Sequence, residues 1–222
     1  MKKILYLGTS PSNYSCKENL IHYPVIRLIP KSIDEKRVLF CLRNLDSFSH
    51  CILTSKNSVE ILWDLCLQLS LEPASSLQGK CISIGAITSD SLSRRGVVPA
   101  WQALEASQEG LIESFQGRFE KGAYVLYPRS SLARPFLNQY LIENNISHET
   151  LDLYDIVYQA PTPKPLLNEI KEIVFTSPST VEGFFRAFQE IPKNVRISFQ
   201  GPVTKFFFTE NFSRLINLNK KR

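Results

Sequence analysis

Two seven-residue stretches, 122 positions apart, carry residue types suited to holding an anion. Residues 54–60 read TSKNSVE and residues 176–182 read TSPSTVE. Each follows an apolar run (CIL in the first case, IVF in the second) and opens a segment of helical periodicity, so each reads as a strand-to-helix corner. Asn57 with Glu60, and Ser179 with Glu182, have the spacing of a helix cap and its reciprocal partner three residues on. A second echo follows: ISIGAIT at 82–88 and ISFQGPVT at 197–204 both give Gly-x-x-Thr after a strand, with Thr88 and Thr204 116 positions apart. Helix N-termini carry unpaired N–H groups and partial positive charge, worth about 0.3–1 kcal/mol to a nearby anion at exposed sites. Thr54, Ser55, Thr88, Thr176, Ser177 and Thr204 flank four such ends. Facing a cleft, they would hold a polyanion without a dense cluster of charge. Taken singly, each corner is only a helix start; two echoed corners, in one order and at nearly one spacing, indicate a duplicated α/β unit.

Other chemistries find little support. There is no GxGxxG or P-loop among only nine glycines, and no GxSxG elbow. His22, His50 and His148 are scattered, and none stands at metal-ligand spacing from another His or Cys, so no metal site is expected. The five cysteines (Cys16, Cys41, Cys51, Cys66, Cys81) are odd in number and include no CxxC, which fits free thiols in a reducing cytoplasm. The start, MKKILYLG, is too short in apolar residues for a signal peptide, and no run approaches a membrane span. A formal net charge of +5, part of it in the terminal NKKR, suits an anionic small molecule. It includes no basic stripe with interleaved aromatics, so nucleic acid is not expected.

The elements that must position these residues recur at a steady pitch. β-favouring runs lie near 3–8, 51–55, 81–85, 123–128, 172–177 and 196–201, with helical periodicity at 59–69, 111–119, 136–143 and 181–188. Alternation of this kind predicts parallel sheets with helices on their faces, and ligands beyond the carboxyl ends of the strands. Two extended stretches, PVIRLIPKSI at 24–33 and TLDLYDIVYQAP at 150–161, break the pattern. They divide the chain into a discontinuous domain, 1–24 plus 161–222, and an inserted domain, 37–150. Segments 25–36 and 151–160 are then linker strands able to pair as a ribbon, with a ligand cleft between the lobes.

The ordered set ILTSKNSVEIL, SIGAITSDSL, SQEGLIESF, YPRSSLARPFL, LYDIV, VFTSPSTVEGF and GPVT, spanning about residues 50 to 204, resembles the uroporphyrinogen-III synthase family. The resemblance implies two similar α/β lobes joined by a two-stranded β-ladder, one lobe inserted in the other. Three departures stand out. The first strand ends in GTSPS where an Arg-Pro-like corner is usual, Gln200 replaces an apolar residue before Gly201, and only 18 residues follow GPVT, which predicts an abbreviated last helix and strand.

The resemblance further implies cyclisation of hydroxymethylbilane, a linear tetrapyrrole with eight carboxylates. Loss of the ring A hydroxyl leaves a stabilised cation, ring D attacks through its substituted carbon, and a spiro intermediate fragments and recloses with ring D inverted. No metal or organic cofactor is implied. The demand on the protein is to hold the chain so that the wrong carbon cannot react, and to help hydroxide leave. Tyr154 of LYDIV matches the family's interlobe tyrosine and is the catalytic candidate, with Tyr158 nearby as the other register. Thr54, Ser55, Thr88, Ser177 and Thr204 are the candidates for carboxylate binding; Arg129 is a further candidate, together with Arg134. Lys56 and Asp155 read as surface residues. A monomer is expected. A non-catalytic bilobal sensor of an anionic small molecule is the alternative, while a nucleotide-sugar transferase is disfavoured by the missing glycine-rich loop.

Overall fold

The run KILY forms the first strand, β1 (Lys3–Tyr6), in a computed structural model that describes residues 2–11, 14, 18–115 and 117–217. Cys16 and the terminal NKKR lie outside the described residues. Next along the chain are β2 (Leu20–His22), β3 (Ile26–Pro30), α1 (Lys36–Arg43), β4 (His50–Leu53), α2 (Lys56–Gln68), α3 (Pro73–Leu77), β5 (Cys81–Ser83) and α4 (Ala86–Arg94). Then follow β6 (Trp101–Gln102), α5 (Gln108–Glu113), β7 (Tyr124–Ser130), α6 (Phe136–Glu143) and β8 (Ser147–Tyr158). The chain continues with β9 (Ile170–Phe175), α7 (Pro178–Ala187), β10 (Arg196–Phe199) and α8 (Pro202–Asn217). The α/β fold with parallel sheets expected from the alternation is present. The stretch after Gly201 forms the sixteen-residue α8.

Contacts group the chain into two units, Met1–Leu28 with Ile156–Arg222, and Ile29–Asp155. Both boundaries fall inside strands, one in β3 and the other in β8. The first unit carries a four-stranded sheet in the order β10-β9-β1-β2, all parallel. The other sheet has six strands in the order β3-β8-β7-β4-β5-β6. Its middle portion, β8-β7-β4-β5, is also parallel throughout and repeats the order β2-β1-β9-β10. The register keeps the spacings of the sequence echoes. Cys51 pairs with Cys81 and with Leu126, while Ile173 pairs with Ile197 and with Leu5. Ile173 and Cys51 are 122 apart, and Ile197 and Cys81 are 116 apart. Leu5 therefore matches Leu126, and Tyr6 matches Tyr127.

Each unit has its own apolar core. In the first, Leu5, Leu7, Ile173 and Phe175 pack against Val181 and Phe184 of α7 and Phe208 of α8. Gly183 lets α7 come down on the strand entry: a Cβ there would meet Val25 Cγ2 at 2.8 Å and its carbonyl oxygen at 2.9 Å. In the second, Ile52, Ile82, Val125 and Tyr127 pack against Leu111, Phe115, Leu137 and Leu141 of α5, α6 and the turn that follows α5. Polar corners, not core residues, occupy the C-terminal ends of the strands, which is where parallel α/β sheets bind ligands.

Candidate functional site

The corner after β4 is built by a serine. Ser55 has extended backbone (φ −159°, ψ 153°) and its Oγ accepts from the Ser58 N–H at 3.0 Å, which makes it the N-cap of α2. This corrects the expected Asn57 cap. Asn57 lies inside the helix, and Glu60 turns away to accept from Ser91 Oγ and Arg95 Nη2, both at 2.6 Å. The corner after β9 repeats the design and the correction. Ser177 (φ −162°, ψ 164°) caps α7 and accepts from the Thr180 N–H at 3.3 Å. The Thr180 hydroxyl, not Glu182, closes the capping box by accepting from the Ser177 N–H at 3.1 Å. In both corners the residue that ends the strand run is also the one whose oxygen reaches the third helical N–H.

Tyr154 of β8 is buried, and its hydroxyl lies 3.3 Å from Ser55 Oγ. Burial raises its pKa above the ordinary 10, so the phenol keeps its proton at neutral pH. The sequence-read pair Ser55 and Tyr154, with Thr54 beside them, thus meets within one unit. Tyr127, on β7 between them in the sheet, is fully buried, and Gln108 donates to its hydroxyl at 3.3 Å. The sequence reading passed over Tyr127 and Gln108. Tyr127 sits in an apolar strand run and Gln108 in a helix start, and only the packing of α5 in the core that holds Tyr127 brings them together.

The other tyrosine candidate, Tyr158, is differently engaged. Its hydroxyl donates to the Glu182 carboxylate, and the Arg186 guanidinium lies 4.0 Å from its ring centre. Burial together with the Glu182 carboxylate pushes its pKa up to about 12.

Both candidate arginines have internal partners. Arg129 Nε donates to Asp152 Oδ1 at 2.8 Å, between residues paired in register on β7 and β8. Arg134 makes a bidentate pair with Glu109 at 2.6 and 2.8 Å. Thr88 and Thr204 are the third residues of α4 and α8, and their side chains are 3% and 2% exposed. Asp155, read as a surface residue, pairs with Lys31 at 2.8 Å. The residue before α8, Gly201, has φ +103°, a conformation that favours glycine.

Among the described residues no group of His, Cys, Asp and Glu is placed to hold a metal ion, and no helix is long and apolar enough to cross a membrane. Cys41, Cys51, Cys66 and Cys81 are free and buried. What the geometry offers is a set of capped helix starts at strand ends, hydroxyl donors, and one buried protonated phenol bonded to a cap.

Comparison with known proteins bears on the family and the fold. The family profile described as uroporphyrinogen-III synthase HemD matches residues 18–214. A curated protein of Ruminiclostridium josui, named porphyrin biosynthesis protein HemD, is 26% identical over 197 residues, covering 86% of this chain and 37% of its own length. The chain thus spans little more than a third of that relative. Among solved structures, a mutant uroporphyrinogen III synthase of the extreme thermophile Thermus thermophilus superposes with a TM-score of 0.62 at 15% identity, covering 99% of this chain and 96% of the other. The uroporphyrinogen-III synthetase of Helicobacter pylori gives a TM-score of 0.60 at 17% identity, covering 95% and 89%.

Proposed function

The chain belongs to the uroporphyrinogen-III synthase family, and from this premise we propose that it cyclises hydroxymethylbilane to uroporphyrinogen III, with ring D inverted and water lost. The observation that carries the reading is the bond between Tyr154 and the α2 cap Ser55, in a family whose substrate bears eight carboxylates. Thr54, Ser55, Thr88, Ser177 and Thr204 serve as donors at the helix starts, assisted by the partial positive charge there. Arg129 contributes by exchanging part of its pairing with Asp152 for a substrate carboxylate. Tyr154 hydrogen-bonds the departing ring A hydroxyl and donates as that bond breaks, which its protonated state permits. Orientation does the rest, because the substrate closes unaided to the uninverted isomer and the protein has only to favour attack by the substituted carbon of ring D. A monomer acting in the cytoplasm belongs to the same reading. The test is product analysis: hydroxymethylbilane is incubated with the protein, the macrocycle is oxidised, and the isomers are separated. A type III product is expected; type I alone, at the uncatalysed rate, would refute the proposal.

A further inference from the structure

One strand edge that the second unit covers stands open in the first. β10 matches β5: Ile197, Ser198, Phe199 and Gln200 stand 116 positions after Cys81, Ile82, Ser83 and Ile84. On the inner side the two ladders agree. The Gln200 N–H donates to the Phe175 carbonyl at 2.8 Å, as the Ile84 N–H does to that of Leu53 at 3.1 Å. Backbone groups of successive strand residues point to opposite sides, so those of Ile197 and Phe199 face outward, as do those of Cys81 and Ser83. In the second unit they are used. β6 runs parallel to β5, and the Cys81 and Ser83 carbonyls accept from the Ala100 and Ala103 N–H groups at 2.7 and 3.0 Å. In the first unit β10 ends its sheet, and among the described residues nothing bonds to the matching carbonyls of Ile197 and Phe199. Such an edge is a template for one more strand.

Charge and side chains decide which strand. Residues 1–28 with 156–222 have fourteen Lys and Arg against six Glu and no Asp, a formal +8, while residues 29–155 have twelve against fifteen, a formal −3. Two copies joined at this edge would set +8 against +8, so like-charge repulsion opposes self-pairing. Ile197 and Phe199 pack on the apolar core, which leaves Arg196 and Ser198 on the opposite face of β10. Opposite Ile82, Trp101 of β6 joins an apolar core. The matching place, opposite Ser198, lies beside the Arg196 guanidinium, whose side chain is 72% exposed and spends Nη2 on Glu172 at 2.5 Å. Its remaining N–H groups suit a carboxylate. The residues on either side of that place would face the Ile197 and Phe199 side, which suits apolar side chains.

We propose that the outer edge of β10 docks an extended acidic segment of a partner protein, which adds to the sheet as a parallel strand with an apolar–acidic–apolar pattern. The probe is a labelled peptide of alternating valine and glutamate. In the free protein the Ile197 and Phe199 amides should exchange quickly. Saturating peptide should slow both at least about tenfold and leave the inward-facing Ser198 amide nearly unchanged. A peptide of alternating valine and lysine should bind at least about tenfold more weakly. The valine–glutamate peptide N-methylated at its amides keeps the charge, loses the donors, and should not bind. Ile197→Pro removes an outward N–H and crowds the edge without touching the inner ladder, and should abolish binding. If that variant does not fold, the N-methylated peptide decides. Equal binding of the N-methylated or the lysine peptide would reduce the edge to a non-specific surface and overturn the proposal. Failure of the valine–glutamate peptide to slow the two amides would overturn it as well. So would Ile197 and Phe199 amides already protected in the free protein, whether by its own chain or by a second copy.

Discussion

The Tyr154 hydroxyl lies 3.3 Å from Ser55 Oγ although β7 separates their strands, so the contact spans three strand positions of one sheet at its C-terminal edge. Ser55 also accepts from the Ser58 N–H, so one oxygen serves both the helix start and the phenol. Substitutions on the two sides of this contact should have different signatures.

Tyr154→Phe keeps the buried ring and removes the donor. Loss of one general-acid contribution is worth about 10²–10⁴-fold in rate. The lower end is expected, because the substrate ionises readily once folded into position. Since uncatalysed closure competes at a fixed rate, the slowed variant should release a growing share of type I product. Full rate with pure type III product would reduce Tyr154 to a packing residue. In the wild-type protein, no loss of rate from Tyr154 ionisation should appear below about pH 10, since burial raises its pKa.

Ser55→Ala and Ser177→Ala each remove a cap and should each lower unfolding stability by about 1 kcal/mol. Their kinetics should differ. Ser55→Ala loses the partner of Tyr154 and should lower kcat, while Ser177→Ala should mainly raise KM. Identical kinetic effects in the two variants would argue against a special role for the β4–α2 corner.

How much of this was legible from residues alone differs by element. The strand–helix alternation was readable because each strand is a short apolar run closed by a polar corner, and β4, β5, β7, β9 and β10 lie where those runs stand. The caps were misread by two residues in each corner. TSKNSVE offers both Ser55-x-x-Ser58 and Asn57-x-x-Glu60 as capping pairs, and only the end of the strand decides between them. β2, with three residues, and α1, whose buried face is Val38, Cys41 and Leu42, left too little periodic signal. Of the site, Tyr154 was found through a motif and its bond to Ser55 only through topology. Tyr127 and Gln108 remained hidden because their spacing of 19 has no local meaning.

A pH test concerns His50, whose ring stands edge-on to Trp101 and Phe119 at 5.7 and 5.1 Å between centres. Burial lowers its pKa below the ordinary 6.5. The unfolded chain therefore takes up this proton first on acidification. The stability tied to neutral His50 is fully present above about pH 6.5 and is lost as pH falls through the lower folded value. His50→Gln should flatten the fall in urea midpoint between about pH 7.5 and 5. A slope equal to that of wild type would remove His50 from the account.

Residues 29–155 hold one whole set of β4, β5, β7 and β8 pairings apart from the end of β8. Expressed alone, the fragment should unfold cooperatively in urea and exchange its β4 and β7 amides slowly. A fragment lacking a cooperative transition would count against an independently folding inserted domain.

The shared strand order has a consequence for synthesis. The chain supplies β4 and β5 before β7 and β8, but in the first unit β1 and β2 come early and β9 and β10 last. On the ribosome, β1 and β2 emerge and then wait for the 147 residues between His22 and Ile170 before β9 can follow. At about 5–20 residues per second, that delay is roughly 7–29 s. The inserted unit can close within that interval, whereas Leu5 and Leu7 await Phe175 and Phe184. The N-terminal strands are thus the part of the nascent chain most in need of chaperone cover.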